Sequence, residues 1–136
     1  MRPRPILWFE GAVLLAAAID LINNVIAFPM LRRGLAMRGF VLGEPAMVAS
    51  VLLTPLLCVI LWYCIARRGS VLGKWLMAAY VAGSVVLFVR QMAITPPVSL
   101  NPMLIAAVAA QLLRLGAVMC LFLPSAQPWF REEHVA

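Results

Sequence analysis

Four apolar stretches, each about twenty residues long, constrain this chain more than any other feature. A helix rises about 1.5 Å per residue, so about 20 apolar residues cross a hydrocarbon core about 30 Å thick. The predicted spans are residues 8–28, 45–66, 71–91 and 102–123. Of the 136 residues, 65% are hydrophobic and 12% charged, which is too apolar for a small soluble domain. We predict an all-α polytopic membrane protein, one domain of residues 1–136 with four transmembrane helices in an antiparallel bundle.

Prolines and a capping residue suggest where the helices end. The first helix is predicted to end at Pro29, with residues 30–44 forming a loop, because proline cannot donate the hydrogen bond that continues a helix. Asn101 before Pro102 is a suitable N-cap for the fourth helix. The polar tail, residues 125–136, is expected to be frayed.

The positions of the basic residues predict that both termini face the cytoplasm. The side that carries the termini has six basic residues and the other side has four: Arg2, Arg4, Arg67, Arg68, Lys74 and Arg131 against Arg32, Arg33, Arg38 and Arg90. Tryptophans at the ends of spans add an aromatic belt on the first side. The predicted membrane-interface anchors are Trp8, Trp62, Arg67, Arg68, Lys74 and Trp75.

Polar residues within the spans form the candidate functional cluster. Asp20, Asn23 and Asn24 share one face of the first helix, because residues three and four apart are neighbours on a helix. Gln111 and Arg114 share a face of the fourth helix. From the cytoplasmic ends, Asp20 lies about 18 Å deep and Arg114 about 14 Å deep. We predict that these two residues pair inside the bundle and that Asn23, Asn24 and Gln111 complete their hydrogen bonds.

Two functions remain open for this cluster. In one, Asp20 is a titratable group in a polar cavity or relay, and Arg114 binds an anion or tunes the carboxylate. In the other, the ion pair is static and determines which helices touch. Arg90 lies nearer the opposite boundary, where it is expected to approach Asn24 or the membrane interface.

A proline in the second span predicts a kinked helix. Pro55 lies near its middle and leaves one backbone carbonyl without its usual donor. The hydroxyl of Ser50 or Thr54 is a candidate partner for the freed carbonyls.

The chemistry that most enzymes need is missing from the sequence. Cys58, Cys64 and Cys120 form no C-x-x-C pair, and the one histidine, His134, lies in the polar tail. We therefore expect no metal site, no haem or other cofactor, and no enzymatic activity. The formal charge of +6 comes from residues that flank apolar segments, so the expected partner is an anionic lipid bilayer and not nucleic acid.

Two segments resemble a group of small four-helix bacterial inner-membrane proteins with no assigned activity. The first comprises RPRP at residues 2–5 and WFE at residues 8–10, and the second comprises WYCIARRGS at residues 62–70 and KW at residues 74–75. The resemblance implies a four-span protein of the bacterial inner membrane and implies no site residues. It covers the first helix and the middle turn.

A more distant similarity is to the small multidrug resistance transporters, which carry one essential carboxylate in the first helix. Asp20 occupies a comparable place, whereas that family has a glutamate there and has later motifs that this chain lacks. The leading prediction is a non-enzymatic accessory or partner-binding bundle that associates with itself or with another membrane protein. The alternative is a small proton-coupled transporter of a hydrophobic or cationic molecule that uses Asp20.

Overall fold

The computed structural model describes residues 4–37, 39, 43–94 and 101–131. Its long helices are α1 (Arg4–Met37), α2 (Glu44–Arg68), α3 (Val71–Ile94) and α4 (Pro102–Phe122), followed by a 3₁₀ turn (Pro124–Ala126) and a short α5 (Gln127–Arg131). Each of the four long helices is long and apolar enough to cross a membrane. The predicted all-α fold with four spans is confirmed, and the chain is a multi-pass membrane protein.

Helix α1 is central to the bundle. It packs most extensively against α4 and next against α2, whereas α3 makes weaker contacts with α2 and α4. Successive helices run antiparallel and bring the start of α1 beside the turn that follows α4. Lipid tails are as apolar as these helix surfaces, so close packing and polar contacts must select this arrangement.

The predicted end of the first helix at Pro29 is wrong, and so is the predicted loop after it. Helix α1 has 34 residues and continues through Pro29 to Met37. Proline removes one hydrogen bond, to the carbonyl of Val25, and membrane helices tolerate such a loss. The seven residues from Leu31 to Met37 include only one glycine, so the helix resumes after the proline.

The cap of α4 is as predicted. Asn101 has an extended backbone, and its side chain accepts a hydrogen bond of 2.8 Å from the backbone N–H of Leu104. Pro102 then occupies the first helical position, where its missing N–H costs nothing.

The prediction of a frayed tail is wrong for residues 125–131. Ala126 and Phe130 are buried, and the indole Nε1 of Trp129 donates a 3.0 Å hydrogen bond to the carbonyl of Ile65. These contacts hold the segment against the end of α2, because an aromatic side chain contributes much buried surface and an indole N–H needs an acceptor. Residues 132–136 of the tail, and also Arg2 and Arg38, lie outside the described residues.

Gly69 makes the turn between α2 and α3 possible. Its φ of 63° is left-handed, and its N–H caps α2 by donating to the carbonyl of Ile65. A Cβ at this position would lie 2.8 Å from the backbone oxygen of Trp129. Both the turn and the docked C-terminal segment therefore require glycine here.

The apolar core fills one half of the bundle, and a polar region begins where the core ends. Ala17, Cys58, Val81 and Ala117 belong to the core, one on each helix. On each helix, a polar residue lies three or four positions from this core residue, on the side away from the α2–α3 turn. These polar residues are Asp20, Thr54, Ser84 and Arg114. The four helices thus place polar side chains at one level of the membrane.

Candidate functional site

An ion pair between α1 and α4 forms the centre of the polar region. Nη2 of Arg114 contacts Oδ2 of Asp20. The exposed fractions of the two side chains are 4% for Arg114 and 15% for Asp20. The pair therefore lies in the largest helix interface of the bundle, where each charge offsets part of the cost of burying the other.

Gln111 joins this pair to α3. Its Oε1 accepts hydrogen bonds from Nη1 of Arg114 at 3.3 Å and from the hydroxyl of Ser84 at 3.2 Å, while its Nε2 donates to the carbonyl of Ser84 at 3.4 Å. Within the described part of the chain, Nε of Arg114 has no hydrogen-bond partner. The predicted role of Gln111 beside the pair agrees with this geometry.

The two asparagines do not complete the hydrogen bonds of the ion pair, contrary to our expectation. Nδ2 of Asn23 donates to the carbonyl of Met103 at 3.3 Å, and Nδ2 of Asn24 donates to the carbonyl of Val51 at 3.2 Å. Their amides instead connect α1 to the backbones of α4 and α2. Arg90 is exposed, as expected for a residue near the opposite boundary.

Asn24 serves the carbonyl that Pro55 leaves without a donor. In a regular helix the N–H of residue 55 would donate to Val51, four residues earlier, and proline has no N–H. We expected Ser50 or Thr54 to serve this function, but the Ser50 hydroxyl donates to Met47 at 2.7 Å. The partner comes from a neighbouring helix, as membrane bundles often arrange.

Replacing Asn24 with leucine is expected to lower the free energy of unfolding by about 1–3 kcal/mol, because the carbonyl of Val51 would lose its donor inside the membrane. The same change in a Pro55→Ala background should cost much less, because the alanine would supply the missing backbone N–H. SDS titration of the four proteins in mixed micelles measures this coupling. Equal losses in both backgrounds would disprove the link between Asn24 and Pro55.

A cavity of about 600 Å³ lies beside the ion pair. All four long helices contribute residues to its wall: Asp20, Asn24, Thr54, Ala79, Tyr80, Gly83, Ser84, Leu87, Phe88, Gln111 and Arg114. Most of the surface that its wall exposes is apolar, and polar groups from all four helices complete it, which is typical of small-molecule sites. Leu87, one of its wall residues, is 65% exposed, so the cavity reaches the surface of the bundle.

The contribution of α3 to this cavity was not predicted from the sequence. Tyr80, Ser84 and Phe88 line it, and their spacing of four residues places them on one helix face. The guanidinium carbon of Arg114 lies 6.0 Å from the centre of the Tyr80 ring, and the Cys58 thiol donates to the Tyr80 hydroxyl at 3.4 Å. The spacing of Tyr80, Ser84 and Phe88 could have predicted this helix face from the sequence. The polar residues that complete the cavity lie on the other helices.

The predicted anchors lie at the end of the bundle that contains the α2–α3 turn. Trp8 and Trp75 are exposed. Guanidinium carbons of Arg67 and Arg68 lie 5.9 Å and 5.8 Å from the rings of Trp62 and Tyr63. Such pairing leaves the charge of each arginine available at the membrane surface.

Lys74 differs from the other anchors because its ammonium group lies against aromatic rings of two other helices. Its Nζ is 4.2 Å from the centre of the Phe122 ring and 5.2 Å from that of Phe130. Lys74 therefore ties α3 to the end of α4 and to α5, in addition to any contact with lipid.

Among the described residues, no group of three or more His, Cys, Asp or Glu side chains is arranged to hold a metal ion. Comparison of the chain with protein-family models, with curated proteins and with solved structures finds no match. A functional proposal for this protein therefore depends on the ion pair, the cavity and the helix surfaces.

Proposed function

We propose that this protein is a non-enzymatic, partner-binding four-helix bundle in which the Asp20–Arg114 pair fixes the packing of α1 on α4. The enclosure of that pair supports the proposal most strongly. Arg114 is 3% exposed, contacts Asp20 and donates to Gln111. A guanidinium held in this way suits a structural role, because loss of either charge would leave the other buried alone.

The proposed partner surface is the face of α3 that carries Val86 and Val89, in the half of the helix far from the α2–α3 turn. Val86 and Val89 are 66% and 59% exposed, and α3 has the weakest contacts with the rest of the bundle. This face of α3 is therefore available for close packing with another transmembrane helix, from a second copy or from another membrane protein.

The proposed location is the bacterial cytoplasmic membrane, with both termini in the cytoplasm. The resemblance at residues 2–10 and 62–75 supports the inner membrane. The basic residues near the termini and the α2–α3 turn outnumber those at the opposite end, which supports the orientation.

Capture of the partner from native membranes tests the proposal. We expect the tagged chain, extracted in mild detergent or in polymer discs, to carry a second copy or another membrane protein with it. The variant Val86→Trp should lower recovery of that partner by about tenfold or more, as loss of a central contact does. Leu53→Trp, at a residue of α2 with 56% exposure, is the matched control and should leave recovery unchanged.

A chain that remains monomeric and alone in native polymer discs contradicts the proposal. So does equal recovery of the partner by both tryptophan variants, because the partner would then bind elsewhere.

The cavity supports a second candidate, a small proton-coupled transporter. Asp20 belongs to the cavity wall and retains 15% exposure of its side chain, so a ligand is able to approach the carboxylate. This function requires proton release or uptake on substrate binding and loss of substrate flux in Asp20→Asn. Flux that persists in a folded Asp20→Leu, Arg114→Leu double variant would exclude it.

A further inference from the structure

We infer that the cavity beside the ion pair is a binding site for an uncharged lipophilic molecule with a hydroxyl or carbonyl group at its polar end. This inference goes beyond the proposed partner binding and does not depend on it. It rests on three features of the cavity: its charge, the polar groups in its wall, and the exposed residue at its edge.

The charges in the cavity wall are already neutralised. Asp20 and Arg114 are its ionised residues, and they contact each other. A charged ligand would therefore enter a low-dielectric region without a counter-charge, at a cost that an uncharged ligand avoids.

The wall combines polar groups from all four long helices with apolar residues of α3. Thr54 and Tyr80 contribute hydroxyl groups and Gln111 an amide, whereas the Ser84 hydroxyl already donates to the carbonyl of Val81 and to Gln111. The Tyr80 oxygen lies 3.4 Å from Sγ of Cys58, and a phenolic hydroxyl both donates and accepts hydrogen bonds. These groups suit the hydroxyl or carbonyl end of a ligand, since a hydroxyl donates and accepts hydrogen bonds and a carbonyl accepts them, both without carrying charge.

The apolar part of the wall reaches the surface of the bundle. It includes Leu87, which is 65% exposed on the bundle surface and also lines the cavity, and the ring of Phe88. An amphiphile dissolved in the membrane is able to enter sideways at Leu87, with its chain remaining in the lipid. The volume of about 600 Å³ accommodates the polar end and part of the chain.

Photolabelling tests the inference. The purified chain in phosphatidylcholine–phosphatidylglycerol nanodiscs is exposed to three probes with one and the same diazirine-bearing hexadecyl chain, ending in a hydroxyl, a trimethylammonium or a carboxylate group. We expect the alcohol to label residues 79–88 at least about tenfold more than either charged probe, and excess unlabelled hexadecanol to remove that labelling.

Two glycine variants locate the site. Among the described residues, nothing lies within 4 Å of a Cβ placed at Gly83 or at Gly116. Gly83 lines this cavity, whereas Gly116 lines a different groove, between α1 and α4. Gly83→Leu should therefore fill the cavity and lower labelling about tenfold or more, and Gly116→Leu should not.

Equal labelling by all three probes, or preference for a charged probe, overturns the inference. Labelling that is spread evenly over the helices or that competitor alcohol does not reduce also overturns it. The comparison of probes uses the unmodified chain, so it decides the question even where Gly83→Leu fails to fold. A missing protein partner in the capture experiment would leave these results unaffected, which separates the two proposals.

Discussion

Replacing Asp20 with asparagine is expected to lower the free energy of unfolding by about 3–5 kcal/mol. The asparagine fills nearly the same space but leaves Arg114 charged, almost completely buried and without its carboxylate. The hydrogen bond to Gln111 does not replace that charge. SDS titration in mixed micelles, monitored by the circular dichroism of the helices, measures the loss in unfolding free energy.

The double variant Asp20→Leu, Arg114→Leu should recover most of that stability. Two leucines remove both buried charges and pack in the interface between α1 and α4, and such exchanges of a buried pair are often neutral or stabilising. Arg90→Leu is the matched control for removing one arginine, because Arg90 is exposed and its loss should change little. A double variant as unstable as Asp20→Asn would refute a purely structural pair.

The Asp20 variants also distinguish the two candidate functions. A partner-binding bundle keeps its partner in the stable double variant, because α3 is unchanged. A proton-coupled transporter loses flux in Asp20→Asn and does not regain it in the double variant, because no carboxylate returns. Partner capture and flux measured on the same two proteins decide between them.

Replacing Gly69 with alanine is expected to destabilise the end of the bundle by about 2–5 kcal/mol. An alanine at φ 63° costs about 1–2 kcal/mol, and its Cβ would lie 2.8 Å from the backbone oxygen of Trp129, which adds about 1–3 kcal/mol of overpacking. The neighbouring atom belongs to the backbone, so α5 must move away for the alanine to fit.

Gly39 provides the matched control for this prediction. Its φ of 77° is also left-handed, but no described atom lies within 4 Å of the position of its Cβ. Gly39→Ala should therefore show only the conformational cost, about 1–2 kcal/mol. Limited proteolysis after residue 123 should be faster in Gly69→Ala alone. Similar losses in stability and similar proteolysis in the two variants would show that contact with Trp129 does not matter.

Local features of the sequence predicted most of the helices correctly. Asn101 caps α4 as expected, since a cap depends on one side chain and the next three residues. Pro29 was misleading because a proline ends a helix only when nothing compensates for the lost hydrogen bond. The docking of Trp129 on Ile65 was not predictable, because the two residues are 64 positions apart.

The polar cluster was likewise predicted only in part from the sequence. Depth and helix periodicity sufficed to place Asp20 beside Arg114. A buried charge needs an opposite charge nearby, and the spans contain few charged residues. The same reasoning misplaced Asn24, whose amide had several possible acceptors at its level in the membrane. Its contact with Val51 depends on how α1 and α2 are rotated against each other.

Apolar length and the rarity of charge were enough to require four helices in a membrane, because a bilayer accepts few other structures. Helix rotation, the docked C-terminal segment and the cavity beside Asp20 arise from packing between distant parts of the chain. Lipid offers those apolar faces an environment as favourable as their neighbours do, so hydrophobicity alone does not select one packing. Shape and hydrogen bonds between helices make that choice, and both depend on three-dimensional contacts.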